Sequence, residues 1–413
     1  MSFYETMRID KGRGLHAASG EGKMVTEVRN HLTEKIIPFW KNLRDEEHGG
    51  YYGYLGYDLV LDKKAEKGCI LNSRILWFFS NAYTLLKEES LLKYAQHAYE
   101  FLTRYCVDED NGGIYWSMTY DGKVLDSAKH TYNQAFAVYA LSSYYEASKN
   151  EEALVLAKKL FEIIETKCKD SSGYKESLTK EFEDAPNDKL SENGVMADRT
   201  MNTLLHVMEA YTELYRVSKD AEVKKAIEQI FTVFTDKLYN ADLHRQEVFF
   251  DDNYHSLIDL HSFGHDIEAS WLIDRAVEIV DGDDETWSKK ITPITGDLAR
   301  QVYEEAFDGH SLAYEKERGV VSQRRVWWVQ AETVVGFLNA YKKSGKRDEK
   351  YLEAAKNCLE FIFDHMVDKR KGSEWYSEVT KDGTPVEGIP VVDPWKCPYH
   401  NGRMCFEVIR NGE

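Results

Sequence analysis

Six short clusters of polar and aromatic residues recur along the chain at intervals of roughly 55 to 75 residues, each where a helix-like apolar pattern begins. They are Asn72-Ser73-Arg74, His130-Thr131-Tyr132-Asn133, Asn202 with His206, His265 with Glu268, Trp327-Trp328, and Trp395 with His400. Clusters at one structural phase imply six repeats that aim equivalent ends at a common site. That site would hold four histidines, an arginine, a carboxylate and three tryptophans. Such a set suits proton transfer on a polar, ring-shaped substrate. Imidazole, with an ordinary pKa of about 6.5, is the side chain for a base near neutral pH. Arg74 precedes the apolar run Ile75-Leu76-Trp77-Phe78-Phe79, so it must be paired. Its partner is either a glutamate or a developing oxyanion or sugar hydroxyl. Indole faces stack on the apolar faces of sugar rings. One of Trp327 and Trp328 is expected in the core, whereas Trp395, in the loop Pro394-Trp395-Lys396-Cys397-Pro398, is expected at the mouth.

Two spacings invite a metal. His261, His265 and Glu268 lie at i, i+4 and i+7, and Asn202, His206 and Glu209 share that spacing. Ser262 follows His261, so the glutamate of a metalloprotease His-Glu-x-x-His motif is missing. The histidines are therefore expected to act as bases, and no metal is expected. A single histidine on such a face is as readily a satisfied buried hydrogen-bond group.

The elements that position these residues are helices. Apolar periodicity predicts twelve, near 25–42, 71–86, 90–106, 131–147, 151–167, 194–217, 221–238, 263–280, 292–306, 326–343, 350–367 and 400–409. Odd members are amphipathic and charged; even members are apolar around most of their surface, as in Ala135-Phe136-Ala137-Val138-Tyr139-Ala140. That alternation predicts outer and inner helices. Glycine-aromatic segments such as Gly112-Gly113-Ile114-Tyr115-Trp116, with Asp-Gly turns at Asp121-Gly122 and Asp382-Gly383, predict β-hairpin loops before the inner helices. Long loops then gather at one end, where function should reside. Neither terminus carries a polar capping repeat, which favours a closed all-α (α/α)6 barrel over an open solenoid. Residues 24–413 form one catalytic domain, preceded by a flexible extension over 1–23.

Composition narrows the partners. The 413 residues carry a net charge of -18, which argues against nucleic acid and anionic membranes. No run approaches the ~20 apolar residues of a membrane span, and the N-terminus lacks an apolar secretion core. Six scattered cysteines without a Cys-x-x-Cys pair predict reduced thiols. A cytoplasmic monomer that needs no cofactor is expected.

The motifs quoted above, together with Ser191-Glu192-Asn193-Gly194, Thr200-Met201-Asn202, Gly264-His265-Asp266-Ile267-Glu268, Trp327-Trp328-Val329-Gln330-Ala331-Glu332 and Tyr399-His400-Asn401-Gly402-Arg403, resemble the cellobiose 2-epimerases of the N-acylglucosamine 2-epimerase superfamily. The resemblance runs from about Met24 to the C-terminus and implies an (α/α)6 barrel. It also implies inversion of C2 in the reducing-end glucose of cellobiose and related β-1,4-linked disaccharides, giving mannose. The ring opens, a base removes the C2 proton, and a cis-enediolate is reprotonated on its other face. By resemblance His265 and His400 are the acid/base pair and His206 assists. Arg74 stabilises the enediolate oxygen, and Glu268 orients or tunes His265. Tyr132, Asn133 and Asn202 bind hydroxyls, and Trp327, Trp328 and Trp395 hold the second sugar. Asn72 departs from the family pattern, which often has His before Ser-Arg, and is expected to alter sugar contacts at the mouth.

The same superfamily includes aldose–ketose isomerases and monosaccharide or N-acetylglucosamine 2-epimerases. An (α/α)6 glycoside hydrolase would need paired carboxylates where this chain offers histidines. A sugar-binding module without turnover is the remaining alternative.

Overall fold

The computed structural model describes residues 20–190, 193–282 and 284–412. Among these, twelve helical units alternate between an outer and an inner layer. The inner helices are α2 (Cys69–Leu86), α4 (Thr131–Ser148), α6 (Met201–Ser218), α8 (Phe263–Asp281), α10 (Trp327–Lys343) and α12 (His400–Gly412). The outer ones are α1 (Gly20–His31, continuing to Asn42), α3 (Glu89–Phe101), α5 (Glu151–Lys167), α7 (Ala221–Val233), α9 (Thr286–Glu305) and α11 (Glu349–Phe361). Four outer units pass through a wider π-turn: Leu32–Ile36, Leu102–Cys106, Phe234–Leu238 and Ile362–Met366. Each inner helix packs on the next, and α12 packs on α2, so the ring closes as an (α/α)6 barrel.

Inner helices are buried nearly all round, as their composition predicts; α4 is buried from Thr131 through Tyr144. Outer helices bury one stripe, such as Leu91, Ala95 and Ala98 of α3. Each fully buried Leu, Ile or Phe between the layers contributes about 1.5–3 kcal/mol. Glycine lets inner helices approach closely: a Cβ on Gly336 of α10 would meet the Ile267 side chain of α8 at 2.5 Å.

The two ends of the barrel differ. Inner helices α2, α4 and α6 end at Lys87, Lys149 and Lys219, each with positive φ. The following outer helix starts within two residues of each. At the opposite end the outer-to-inner connections are long. There the residues just before one inner helix pair with the hairpin of the next repeat, for example Lys67–Gly68 with Ser117–Met118 and Lys129–His130 with Ser177–Leu178. Leu55 bridges to Val392 and joins the last connection to the first. The hairpins thus form a belt around the mouth.

A repeated clamp fastens that belt. The second residue before an inner helix is a buried cation bound to an aspartate that follows the preceding outer helix: Lys67 to Asp45 at 2.6 Å, Lys129 to Asp108 at 3.0 Å, Arg199 to Asp170 at 2.6 Å and Arg325 to Asp308 at 2.7 Å. Each aspartate also accepts backbone N–H groups of its own turn. His261 fills the equivalent position before α8, against Asp266 at 2.9 Å and Glu305 at 3.2 Å.

Three expectations change. α6 begins at Met201, not 194, because Arg199–Thr200 pairs with Phe249–Phe250 and Thr200 caps the helix by accepting from Thr203 N–H. α9 begins at Thr286 rather than 292, which puts Pro293 in its interior instead of its first turn. Helix α1 already includes residues 20–23, expected in a flexible extension; residues 1–19 lie outside the described part of the chain. All six cysteines are buried and free.

Candidate active site

A cavity of about 210 Å³ opens at the long-loop end. Arg74, Tyr132, Asn202, His206, His265, Glu268, Trp327, Trp328, Trp395 and His400, drawn from all six inner helices and the loop before the last, line it with Lys189, Leu190, Val248, Phe249 and Tyr314. Inner-helix starts converge here because the ring is closed and their first turns all point at the axis.

The three histidines share one arrangement. Each holds Nδ1 against a protein oxygen: His206 on Glu209 at 2.9 Å, His265 on Ser262 Oγ at 2.7 Å, His400 on Glu332 at 2.7 Å. Nε2 of each is left without a protein hydrogen bond among the described residues. Burial pushes all three pKa values down. His265 falls to about 3, with His206 adding to the effect. For His400, Arg403 and Arg74 reinforce burial. All three are neutral imidazoles near pH 7, the form a base requires.

Arg74 is buried, yet it makes no carboxylate contact among the described residues. Its guanidinium donates to Tyr132 Oη at 2.8 Å and to the Trp395 carbonyl at 3.3 Å, and it lies 4.1 Å from the Phe136 ring centre and 4.8 Å from that of Tyr399. The glutamate ion pair weighed from sequence is not formed. Its positive charge is free to face the cavity. Asn202 Oδ1 has no hydrogen-bond partner among the described residues, which leaves an acceptor suited to a sugar hydroxyl.

Beneath the histidines lies a charged floor. Arg403 Nη1 donates to Glu209 at 2.6 Å, and Nη2 donates to Glu332 at 2.7 Å and to Glu268. Trp271 Nε1 donates to Glu332 at 2.9 Å, and Tyr399 Oη donates to Glu209. Burial raises Glu209, but Arg403 and then His206 outweigh it and hold it at about 2. Burial and then Glu332 push Glu268 up to about 8, and burial also raises Glu332. Ligand atoms of Glu268, Glu332 and His400 lie within 4.8 Å of one another. Arg403 already brings positive charge to that spot, so a divalent ion would have to compete with a guanidinium.

Glu268 was expected to orient His265. It sits instead on Arg403, 3.8 Å from His400 Nδ1, while Ser262 holds His265. Asn133, expected to bind a hydroxyl, is outside the lining; its side-chain amide donates to the Tyr115 carbonyl at 2.7 Å and fixes the hairpin. Asn72 is likewise buried, accepting from Tyr51 N–H and donating to the Gly68 carbonyl, so it makes no contact at the mouth. Trp327 belongs to the core and reaches the cavity too, its ring 5.3 Å from His400. Trp328 contacts both His265 at 4.8 Å and His400 at 5.5 Å. Trp395 is presented by a loop that Asp393 caps, accepting from the N–H groups of 395 and 396 at 2.7 Å, while Lys396 is anchored on Glu374 at 2.9 Å. Trp395 is 37% exposed, overhanging the mouth as its loop suggested. Sequence reasoning missed Glu332 and Arg403 as a unit; both stood inside quoted motifs, but their contact spans 71 residues.

The family model for N-acylglucosamine 2-epimerase matches residues 50–401. The cellobiose 2-epimerase of Eubacterium cellulosolvens is 53% identical over 93% of this chain and 98% of its own. Among solved structures, a sugar epimerase from a ruminal bacterium superposes with a TM-score of 0.92 at 50% identity, covering 94% of this chain and 99% of that one. The cellobiose 2-epimerase of Bacillus thermoamylovorans superposes with a TM-score of 0.90 at 45% identity, covering 94% and 99%.

Proposed function

We propose that this chain, which belongs to the N-acylglucosamine 2-epimerase family, is a cellobiose 2-epimerase that inverts C2 of the reducing-end glucose. One observation carries the reading: three neutral histidines present Nε2 to a cavity that also holds an arginine without a carboxylate partner. After ring opening, one of His265 and His400 removes the C2 proton and the other supplies a proton to the opposite face. Negative charge develops on the carbonyl oxygen, and the Arg74 guanidinium stabilises it in a site shielded from water. Its bond to Tyr132 and its aromatic surround keep it aimed without neutralising it. His206 and Asn202 orient the opened sugar, and Trp395 with Trp328 covers the second ring.

No helix among the described residues is long and apolar enough to cross a membrane. We read the enzyme as a cytoplasmic monomer acting on a disaccharide without a metal or redox cofactor. The test is incubation with cellobiose and identification of the product. An epimer of unchanged mass ending in mannose is expected. Two monosaccharides would identify a hydrolase, and a ketose as sole product an isomerase. His265→Ala and His400→Ala should each lower turnover by ~10²–10⁴-fold with the fold intact.

A further inference from the structure

We infer that a proton shared by Glu332 and Glu268 sets the tautomer of His400, and so decides whether that histidine acts as acid or as base. The inference rests on the epimerase reading above. A neutral imidazole has one N–H. If the facing carboxyl is ionised, His400 Nδ1–H donates to Glu332 and Nε2 offers the substrate a lone pair. If the carboxyl is protonated, it donates to Nδ1 and the N–H moves to Nε2, facing the substrate. The same 2.7 Å contact serves both states.

The charge count of the floor supports such a mobile proton. Glu209, Glu268 and Glu332 meet one guanidinium, Arg403. Glu209 also faces His206, whereas Glu268 and Glu332 converge on one nitrogen of Arg403 and on His400 Nδ1. Burial raises both of these carboxyls; Glu332 adds to the rise of Glu268, and Glu209 to that of Glu332. His265 lacks this wiring, since its Nδ1 faces the hydroxyl of Ser262.

The step balances. When His400 donates, its Nε2–H goes to C2 of the enediolate and Nδ1 takes the proton of the carboxyl pair. The imidazole stays neutral and becomes the base tautomer. His265, having removed the original C2 proton, ends one proton richer and the carboxyl pair one proton poorer. Water at neutral pH returns that proton from one to the other. A cavity of about 10 Å³, lined by Glu209 and Arg403 on one side and by Asn81, Glu407 and Arg410 on the other, reaches the floor from the short-loop end. It has room for about one water molecule. In the reverse reaction every transfer runs backwards. A histidine too weakly basic to carry a cation can thus still deliver a proton.

Glu332→Gln separates this role from simple support. The amide keeps a hydrogen bond to Nδ1 but cannot pass a proton, so His400 is fixed in one tautomer. The experiment follows deuterium entry at C2 and epimerisation together in D2O, starting from cellobiose and, separately, from its mannose-ended epimer. Inversion should fall by ~10²-fold or more. Exchange at C2 should persist from the epimer whose proton faces His265, raising the ratio of exchange to inversion by at least about tenfold. An equal fall of both processes from both epimers, or no fall, would overturn the inference. Should Glu332→Gln fail to fold, Glu268→Gln carries the same test with the 2.7 Å contact retained; an unchanged ratio there overturns it too. Absence of epimerisation by the unaltered chain would instead refute the functional reading.

Discussion

Two regions of this molecule bury the same side-chain types to opposite ends. In the Lys67–Asp45 and Lys129–Asp108 belt clamps, one lysine meets one aspartate, and the turn's N–H groups complete the aspartate's bonding. On the cavity floor, three glutamates meet one arginine. These two clamps are closed circuits with no charge to spare, and they hold the hairpins. The floor has carboxylate in excess, so its protons are movable and the histidines above it are tuned. Stoichiometry of buried charge, rather than burial itself, separates scaffold from chemistry here.

The largest test of that contrast is Arg403→Leu. It strands three carboxylates in the core, so a loss of about 3–5 kcal/mol or more is expected, visible as a collapse of soluble protein or a large drop in Tm. Activity should vanish with it. An unfolding curve matching the wild type would show that the floor does not depend on this cation.

Lys129→Met should cost a comparable ~3–5 kcal/mol by leaving Asp108 unpaired. Here the contrast predicts that kcat of the folded fraction is unchanged, because the clamp at 3.0 Å lies outside the cavity lining. A parallel fall of kcat at temperatures well below Tm would merge the two regions into one.

The regions also answer to pH with opposite sign. Burial raises Asp45, but the bond to Lys67 and the turn N–H groups outweigh it and hold its pKa low. Its stabilising contribution is present above about pH 4 and is lost as pH falls through the folded value. Glu268 is pushed up to about 8. Its contribution is present below about pH 4.3 and is lost as pH rises through the folded value. Relative to wild type, Glu268→Gln should therefore gain Tm as pH rises from about 4.3 to about 8, whereas the deficit of Asp45→Asn should shrink on acidification. Scanning calorimetry across that range checks both; slopes of the same sign would remove the distinction.

The smallest effect is expected at the mouth. The backbone carbonyl of Trp395, not its indole, accepts from Arg74. Trp395→Ala should keep the loop in place and remove stacking worth ~1 kcal/mol. Disaccharide turnover should suffer more than turnover of any monosaccharide. Equal losses would assign the indole to loop support.

Much of this was legible in the sequence. Alternating helix character predicted the two layers, and the phase of the polar clusters brought His206, His265 and His400 to one cavity. What escaped depended on the exact starts of elements or on contacts between distant residues. His261 shares its spacing with His265 but stands two residues before α8, in strand geometry, so it became a clamp. Asn133 is on the first turn of α4, but its amide turns back to the hairpin. Glu209 and Arg403 meet across 194 residues, and no periodicity within either helix announces the other.

The ring closes through its last helix, and α12 carries both His400 and Arg403. During synthesis α6, α8 and α10 emerge with Glu209, Glu268 and Glu332 before the guanidinium that offsets them exists. Until α12 docks between α10 and α2, those inner faces repel one another at what will become the floor. Sugar chemistry is therefore acquired only once α12 docks, after the three carboxylates that its guanidinium offsets are already in place.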